Sequence, residues 1–370
     1  MNAVPHVCHF TSVHPAGDTR IFVKECRSLA ASGYRVSLVA ANAVSKTTDG
    51  VEVTGVPIGS GRLSRMFSGA KRVFNAAREL DADVYHFHDP ELLRFAGRLR
   101  RAGKVVIYDS HEDLPRQIAS KHYIPSFLKS LAASIAEYLE NRWIKQCTAV
   151  VAATAYIRDR FLRFHPLAID VCNYPSLEEL TLPATNAPKE LLACYVGSIT
   201  EARGIREKIT MMDGASFRLV LGGPFGPPEL LEEMKQLPGW KNVEYLGPLS
   251  RAQVVEALGR CSIGLVSMRN SPNYAEALPV KMFEYMAAGI PVVTNAIPLW
   301  KKIVEDSECG IAVDTTDTDS FRHAVEELLN DPIRLQRFGA NGRRAVEDSF
   351  NWTSEERKLL NLYHQLMPMS

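Results

Sequence analysis

Short apolar runs alternate along this chain with segments whose apolar positions recur at helical spacing. HVCHF (6–10) opens the pattern, and the loop TSVHPAGDTR follows it. IFVKECRSLAAS then has helical spacing and stops at Gly33. YRVSLVAA, VEVTGVP, DVYHFH, KVVIYDS and TAVVAAT are the next strand-like runs. Helical patterns lie between them, around RMFSGAKRVFNAAREL, over ELLRFAGRLRRAG and from about Pro125 to Gln146. Strands apolar on both faces, alternating with helices, predict a parallel sheet covered by helices on both sides.

The pattern breaks at LEELTLPATNAPKELL, which holds Pro183 and Pro188 and has little periodicity. This predicts an interdomain linker near Leu182–Lys189. The alternation then restarts with LLACYVGSI, FRLVLGG, NVEYLG, SIGLVSM, IPVVTNA and GIAVD. The expected division is 1–183 for a first domain and 190–350 for a second. A final helix, 351–370, is expected to pack back toward the first. Ligands of open α/β sheets bind outside the carboxyl ends of the strands, so each loop that follows a strand is a candidate site.

Composition narrows the classes. The 370 residues are 46% apolar and 23% charged, with a formal net charge of +1, which argues against a nucleic-acid partner. The first 185 residues carry 23 Lys and Arg against 18 Asp and Glu. The seven cysteines form no metal-type pair and most sit in apolar runs, as expected of reduced thiols in a cytoplasmic protein. No signal peptide is expected, and no apolar run approaches the roughly 20 residues needed to span a bilayer.

The chemistry concentrates in NYAEALPVKMFEYMAAGIPVV. Pro279 suits the first turn of a helix, and Gly289 suits its stop. Glu276 then lies in the loop entering the helix and Glu284 within it. The N-terminus of such a helix offers free N–H groups and a positive dipole end, suited to a diphosphate. Lys281 adds a full charge, and Glu284 is placed to accept hydrogen bonds from two ribose hydroxyls. An ordinary amphipathic helix with solvated acids is the bland alternative.

This segment resembles the donor-site motif of the family 4 GT-B glycosyltransferases, in which two glutamates precede an A-x-G-x-P-V-V turn. The resemblance extends to YVGSITEARGI, LGG, VEYLGPLSRAQVVEAL, GIAVD, the closing LYHQL helix, HPAGDTRIFVKECRSLAASGYRVSLVA, DVYHFHDPELL and YDSHED. It implies two Rossmann-like doubly wound domains facing across a cleft. It also implies a retaining, metal-independent transferase without a cofactor, using a nucleoside-diphosphate sugar as co-substrate. UDP-sugar is favoured over GDP-sugar, and the acceptor is a glycan or lipid-linked hydroxyl in bacterial polysaccharide or glycolipid synthesis.

Residue by residue, the resemblance assigns His111, Arg203, Lys281 and Glu276 to catalysis. The donor set is Gly197, Ser198, Arg203, Gly222, Gly247, Lys281 and Glu284. Ser198 stands where the family commonly has arginine, and Arg203 where it has lysine, so Arg203 and Lys281 are expected to share the diphosphate. Gly17, Arg20, His88 and Asp89 are the acceptor-side candidates. Gly17 matches weakly because the usual paired glycine is missing. Asp81 and Asp83 imitate a metal-binding D-x-D but precede a strand, at the wrong edge of the sheet.

Two rival readings remain from the residues: a nucleotide-sugar epimerase of the same fold, and a non-catalytic nucleotide- or sugar-binding protein. A basic face over 62–78 and 98–104, with Leu63, Met66, Phe67, Val73 and Phe74 among its cations, is expected either to rest on an anionic membrane or to turn its apolar side to the core.

Overall fold

The computed structural model describes residues 4–59, 61, 65–120, 124–180, 191–269 and 274–367. The linker expected at Leu182–Lys189 lies outside these residues, as do Arg62 and Leu63. The chain forms two compact units, Met1–Asn173 with Thr353–Ser370, and Tyr174–Trp352.

The first unit is built on an eight-stranded sheet in the order β3-β4-β2-β1-β5-β6-β7-β8. Its strands are β1 (His6–Thr11), β2 (Arg35–Ala41), β3 (Lys46–Thr48), β4 (Val51–Val56), β5 (Val84–Phe87), β6 (Val105–Ser110), β7 (Ala149–Ala152) and β8 (Ala168–Asp170). All pairings are parallel except the β3–β4 ribbon. The apolar runs become strands because helices cover both faces, so Val7, Leu38, Val84 and Val150 are all fully buried. β3 and β8 were not anticipated; each has three residues and no periodicity to read.

The chain winds outward from β1 through β2 to β4, then returns to place β5 on the other side of β1. The reversal leaves a crevice beyond the carboxyl ends of β1 and β5, the usual ligand position in such sheets. The final helix, Trp352–Leu366, is tied to this unit. Glu355 accepts the Cys172 N–H at 2.8 Å, Lys358 reaches Asp170 at 2.8 Å, and the Tyr363 hydroxyl lies 2.9 Å from His86 Nδ1.

The second unit has a six-stranded, all-parallel sheet in the order β11-β10-β9-β12-β13-β14. Its strands are β9 (Leu192–Val196), β10 (Arg218–Gly222), β11 (Val243–Tyr245), β12 (Ile263–Val266), β13 (Val292–Asn295) and β14 (Gly310–Val313). Here the reversal lies between β9 and β12. They pair only at Ile263–Ala193 and Gly264–Cys194. Beyond that the Val196 N–H donates instead to the Tyr285 hydroxyl at 3.0 Å.

The basic face divides between core and solvent. In helix Ala70–Glu79, Val73 and Phe74 are buried in the core, and the cations Lys71 and Arg72 are exposed. Leu99 is buried likewise, and Lys104 pairs with Asp81 at 2.7 Å. That helix is amphipathic because it covers a sheet. Met66 and Phe67 alone among the named apolar neighbours are exposed within the described residues. Asp83, the other half of the D-x-D imitation, accepts the His6 N–H at 2.8 Å.

Candidate active site

Helix Val280–Ala287 is the centre of the second unit's site. Its start carries no side-chain cap, and its end is closed by a left-handed Gly289 (φ 65°). Gly289 donates to Met286 O at 2.9 Å and Ile290 to Tyr285 O at 2.9 Å, the paired bonds of a Schellman stop. The helix is locked to the sheet by Tyr285. A Cβ on Gly264 would stand 2.3 Å from the Tyr285 ring, so only glycine lets the ring lie across β12. The loop bearing Glu276 is fixed by the Trp300 indole, whose N–H donates to Ala277 O at 2.7 Å.

Glu284 is 7% exposed. Its Oε2 accepts from Lys281 Nζ at 2.7 Å and its Oε1 from Arg251 at 2.8 Å. Burial raises its pKa, but Lys281 and Arg251 outweigh burial and hold the carboxyl below its ordinary value. A carboxylate has about four lone-pair positions. These two bonds leave acceptor capacity on both oxygens, as a pair of vicinal hydroxyls requires.

The loop after β9 meets this helix. Gly197 has φ 148°, and a Cβ there would lie 2.8 Å from Lys281 Cε. Gly223 (φ 134°) packs its backbone on Gly197, with an added Cβ at 1.9 Å from Gly197 O. Gly223 rather than Gly222 is therefore the residue that must lack a side chain for backbone contact, although Gly222 is crowded by Leu249 at 2.5 Å. Gly247 (φ 71°) has open space around it, so its backbone turn and not close packing calls for glycine. Ser198 is exposed, and its carbonyl accepts from Tyr195 at 2.9 Å.

Arg203 is half-buried, and a strut beneath it comes from Lys208. Lys208 is fully buried, donates to Arg203 O at 2.6 Å and to Ser267 Oγ, and lies 4.5 Å from the Tyr195 ring centre. Burial brings its pKa down to about 7, with the Arg203 charge adding to the shift and Glu207 opposing it.

The first unit gathers its own polar cluster at the carboxyl ends of β1, β5 and β6. Asp109 accepts two bonds from the Arg20 guanidinium, at 2.8 and 2.7 Å. It also contacts His88 Nδ1 at 3.1 Å and His111 Nε2 at 2.9 Å. His88 Nε2 in turn meets His9 Nδ1 at 3.0 Å. Thr19–Cys26 is wound as a π-helix capped by Asp18, and its i→i+5 turn brings Glu25 to within 3.2 Å of Arg20.

Burial would raise the Asp109 carboxyl, but Arg20 and His111 together hold it well below the carboxylate range. Burial pushes His9 and His86 well down and His88 to about 4. Glu25 is held well above the carboxylate range by burial and by the Asp109 charge. Within this cluster the opposite charges in contact are Arg20 and Asp109.

Three acceptor-side candidates lie buried in this cluster. Arg20, His88 and Asp89 are 3%, 2% and 2% exposed. Arg20 also donates to Val171 O at 2.6 Å, and Asp89 ties down the loop after β1 through the Ser12 N–H at 2.6 Å. All three brace the site from beneath. Gly17 is exposed, with neither crowding nor a positive φ to demand glycine. His111 keeps 16% of its side chain accessible. In the tautomer that donates from Nε2 to the Asp109 carboxylate, Nδ1 is left as an acceptor. Glu25, His86, His88 and Asp109 bring ligand-type atoms within 4.8 Å of one another. The Arg20 guanidinium already supplies the countercharge there.

Residues 17–171 match the family model Glycosyltransferase Family 4, and residues 181–345 match Glycosyl transferases group 1. The chain belongs to the family-4-like GT-B glycosyltransferases. A curated relative, D-inositol 3-phosphate glycosyltransferase of Rhodococcus opacus, is 27% identical over 48% of this chain and 41% of its own length. The chain thus spans about two fifths of that relative. Among solved structures, sucrose-phosphate synthase of Thermosynechococcus elongatus superposes with a TM-score of 0.78 at 19% identity, covering 99% of this chain and 100% of that one. HepE of Anabaena in complex with UDP gives 0.72 at 12% identity, covering 98% and 100%. Both likenesses are of fold.

Within this GT-B frame, several residues escaped the sequence reading. Arg251 lies 33 positions from Glu284, and its segment VEYLGPLSRAQVVEAL was read without giving it a role. Lys208, in IREKIT, reads as a surface lysine. Asp109 stood in a motif read for His111, and its strand position beside β5 was the available signal.

Proposed function

We propose that this chain transfers a sugar, with retention, from a nucleoside-diphosphate sugar to a hydroxyl of a glycan or lipid-linked acceptor. The observation that carries the proposal is Glu284, a buried carboxylate held ionised with acceptor capacity to spare. It sits one turn inside an uncapped helix at the reversal point of the second sheet. Glu284 takes the ribose hydroxyls. Lys281, Arg203 and the helix N-terminus take the diphosphate, and Glu276 takes a sugar hydroxyl; within the first unit, His111 is the candidate partner for a sugar hydroxyl. The bond from the anomeric carbon to the diphosphate oxygen breaks, and the acceptor oxygen attacks the same face. The acceptor proton passes to the departing phosphate oxygen. The protein stabilises charge developing on that leaving group.

The countercharge comes from side chains and backbone, so the proposed reaction needs no metal or cofactor. UDP is proposed ahead of GDP as the nucleotide. A cytoplasmic setting is supported by seven cysteines that are all buried as thiols. No helix among the described residues is long and apolar enough to cross a membrane.

A thermal-shift series with UDP-, GDP- and ADP-sugars tests the reading. One nucleotide series should raise Tm, since a ligand at 100 times its Kd stabilises the native state by about 2.7 kcal/mol. Turnover with that donor should persist in EDTA. No shift with any series, donor converted to an epimer without acceptor, or a strict manganese requirement would each contradict it.

A further inference from the structure

Arg251 opens helix Arg251–Arg260, and local chemistry fixes its place there. Ser250 caps the helix by accepting the Gln253 N–H at 3.4 Å, and Gln253 Oε1 accepts the Ser250 N–H at 2.9 Å, a reciprocal capping box. Ahead of the cap, Gly247 turns the chain with its left-handed φ of 71°, and its carbonyl accepts the Gly223 N–H at 2.7 Å. Turn and cap together hold the root of the Arg251 side chain, which reaches out to Glu284.

The guanidinium bridges two carboxylates. One branch donates to Glu284 Oε1 at 2.8 Å, and the other donates to Glu179 Oε2 at 3.1 Å. An exposed ion pair contributes little, but the Glu284 side chain is only 9% exposed, and a carboxylate so shielded needs a partner to stay ionised. Lys281 grips the other oxygen, Oε2, at 2.7 Å. Lys281 has a second task in the proposed reaction, because the diphosphate draws the same ammonium. Arg251 has no such competing task, since Glu179 occupies its other branch. It is therefore the partner that keeps Glu284 charged while a donor is bound. Gripping Oε1 also fixes the plane of the carboxylate, and with it the direction of the lone pairs left for a ligand.

We infer that Arg251 is a positioning residue that makes Glu284 selective for ribose, so that the donors of this chain are ribonucleoside rather than 2′-deoxyribonucleoside diphosphate sugars. The inference rests on the reading of Glu284 as the carboxylate that takes the ribose hydroxyls. A carboxylate held toward two vicinal hydroxyls keeps a buried, unmatched lone pair when one hydroxyl is missing, and that penalty rejects the deoxy analogue. A carboxylate free to turn would settle on the remaining hydroxyl and lose the discrimination. Selectivity therefore depends on how firmly Glu284 is held, and Arg251 is the group that holds it from outside its own helix.

The test is calorimetric titration of the full chain with uridine diphosphate, 2′-deoxyuridine diphosphate and inorganic pyrophosphate, with the guanosine and adenosine pairs in parallel. The parent should prefer the ribonucleotide by roughly ten- to a hundredfold, as one charge-assisted hydrogen bond allows. Arg251→Met keeps the stem of the side chain and removes its donors. It should narrow the preference to about threefold or less while pyrophosphate affinity changes little. Arg251→Lys should recover part of the preference, because it keeps the charge. Adding Arg251→Met to Glu284→Ala should weaken nucleotide binding no further, since Arg251 acts through Glu284. Circular dichroism confirms that each variant is folded. A parent that prefers the ribonucleotide, with the preference unchanged in Arg251→Met, would overturn the inference and leave the ribose role of Glu284 standing. A parent with no preference, or no binding of any of the diphosphates, would overturn both. Equal losses of pyrophosphate and nucleotide affinity in Arg251→Met would make Arg251 a phosphate ligand and overturn the inference alone.

Discussion

Lys281→Ala is expected to lose roughly 10²–10³ in turnover while nucleoside monophosphate affinity stays nearly unchanged. Lys281 lies over Gly197 and touches Glu284, so it is placed at the junction of the helix start and the loop after β9. In that position its charge is proposed to act on the diphosphate as the sugar departs. A group that stabilises only the transition state lowers kcat and kcat/KM together. Arg203→Ala should behave the same way. Arg203 is aimed by its own loop, whose carbonyl is held by the buried Lys208. Pre-steady-state kinetics with the donor identified by thermal shift measures this. Equal losses in monophosphate affinity and turnover would place both residues on the nucleoside instead.

Asp109→Asn should destabilise the first unit by about 3–5 kcal/mol, because it leaves the Arg20 guanidinium buried without its partner charge. The amide also turns an N–H toward the Arg20 and His111 donors. Arg20→Met with Asp109→Leu should recover much of the loss, since replacing a buried pair by apolar groups is often near neutral. Activity should stay low in that double variant, as His111 then lacks the carboxylate that fixes its outward nitrogen. Denaturant unfolding followed by hydrogen exchange in β1 and β6 separates the first unit from the second. A loss under about 1 kcal/mol for Asp109→Asn would mean that the pair is not the keystone described.

Much of this was readable in the chain. The parallel strands were legible because both faces are buried, so YRVSLVAA and KVVIYDS carry nearly uninterrupted apolar runs. The helix around Glu284 was legible from Pro279 and Gly289, and both ends hold. What could not be read depends on tertiary pairing. Arg20 looked like a cation offered to an acceptor, because nothing local says that β6 will place Asp109 against it. Gly222 and Gly223 are adjacent, and only the register with Gly197 distinguishes them. The Pro125–Gln146 pattern revealed a helix, but not that Phe127, Leu131, Ile135 and Tyr138 face outward on it, which depends on Glu140 finding Arg160.

Calorimetric titration of the nucleoside diphosphate into the chain and into Glu284→Ala tests the central claim most directly. A charge-assisted hydrogen bond contributes about 1.5–3 kcal/mol, so losing the ribose contacts should weaken binding roughly tenfold or more. The variant must remain folded, which is expected because Lys281 and Arg251 keep solvent access once Glu284 is gone. A folded Glu284→Ala chain that binds the nucleotide as tightly as the parent would contradict the assignment of this helix as the donor site.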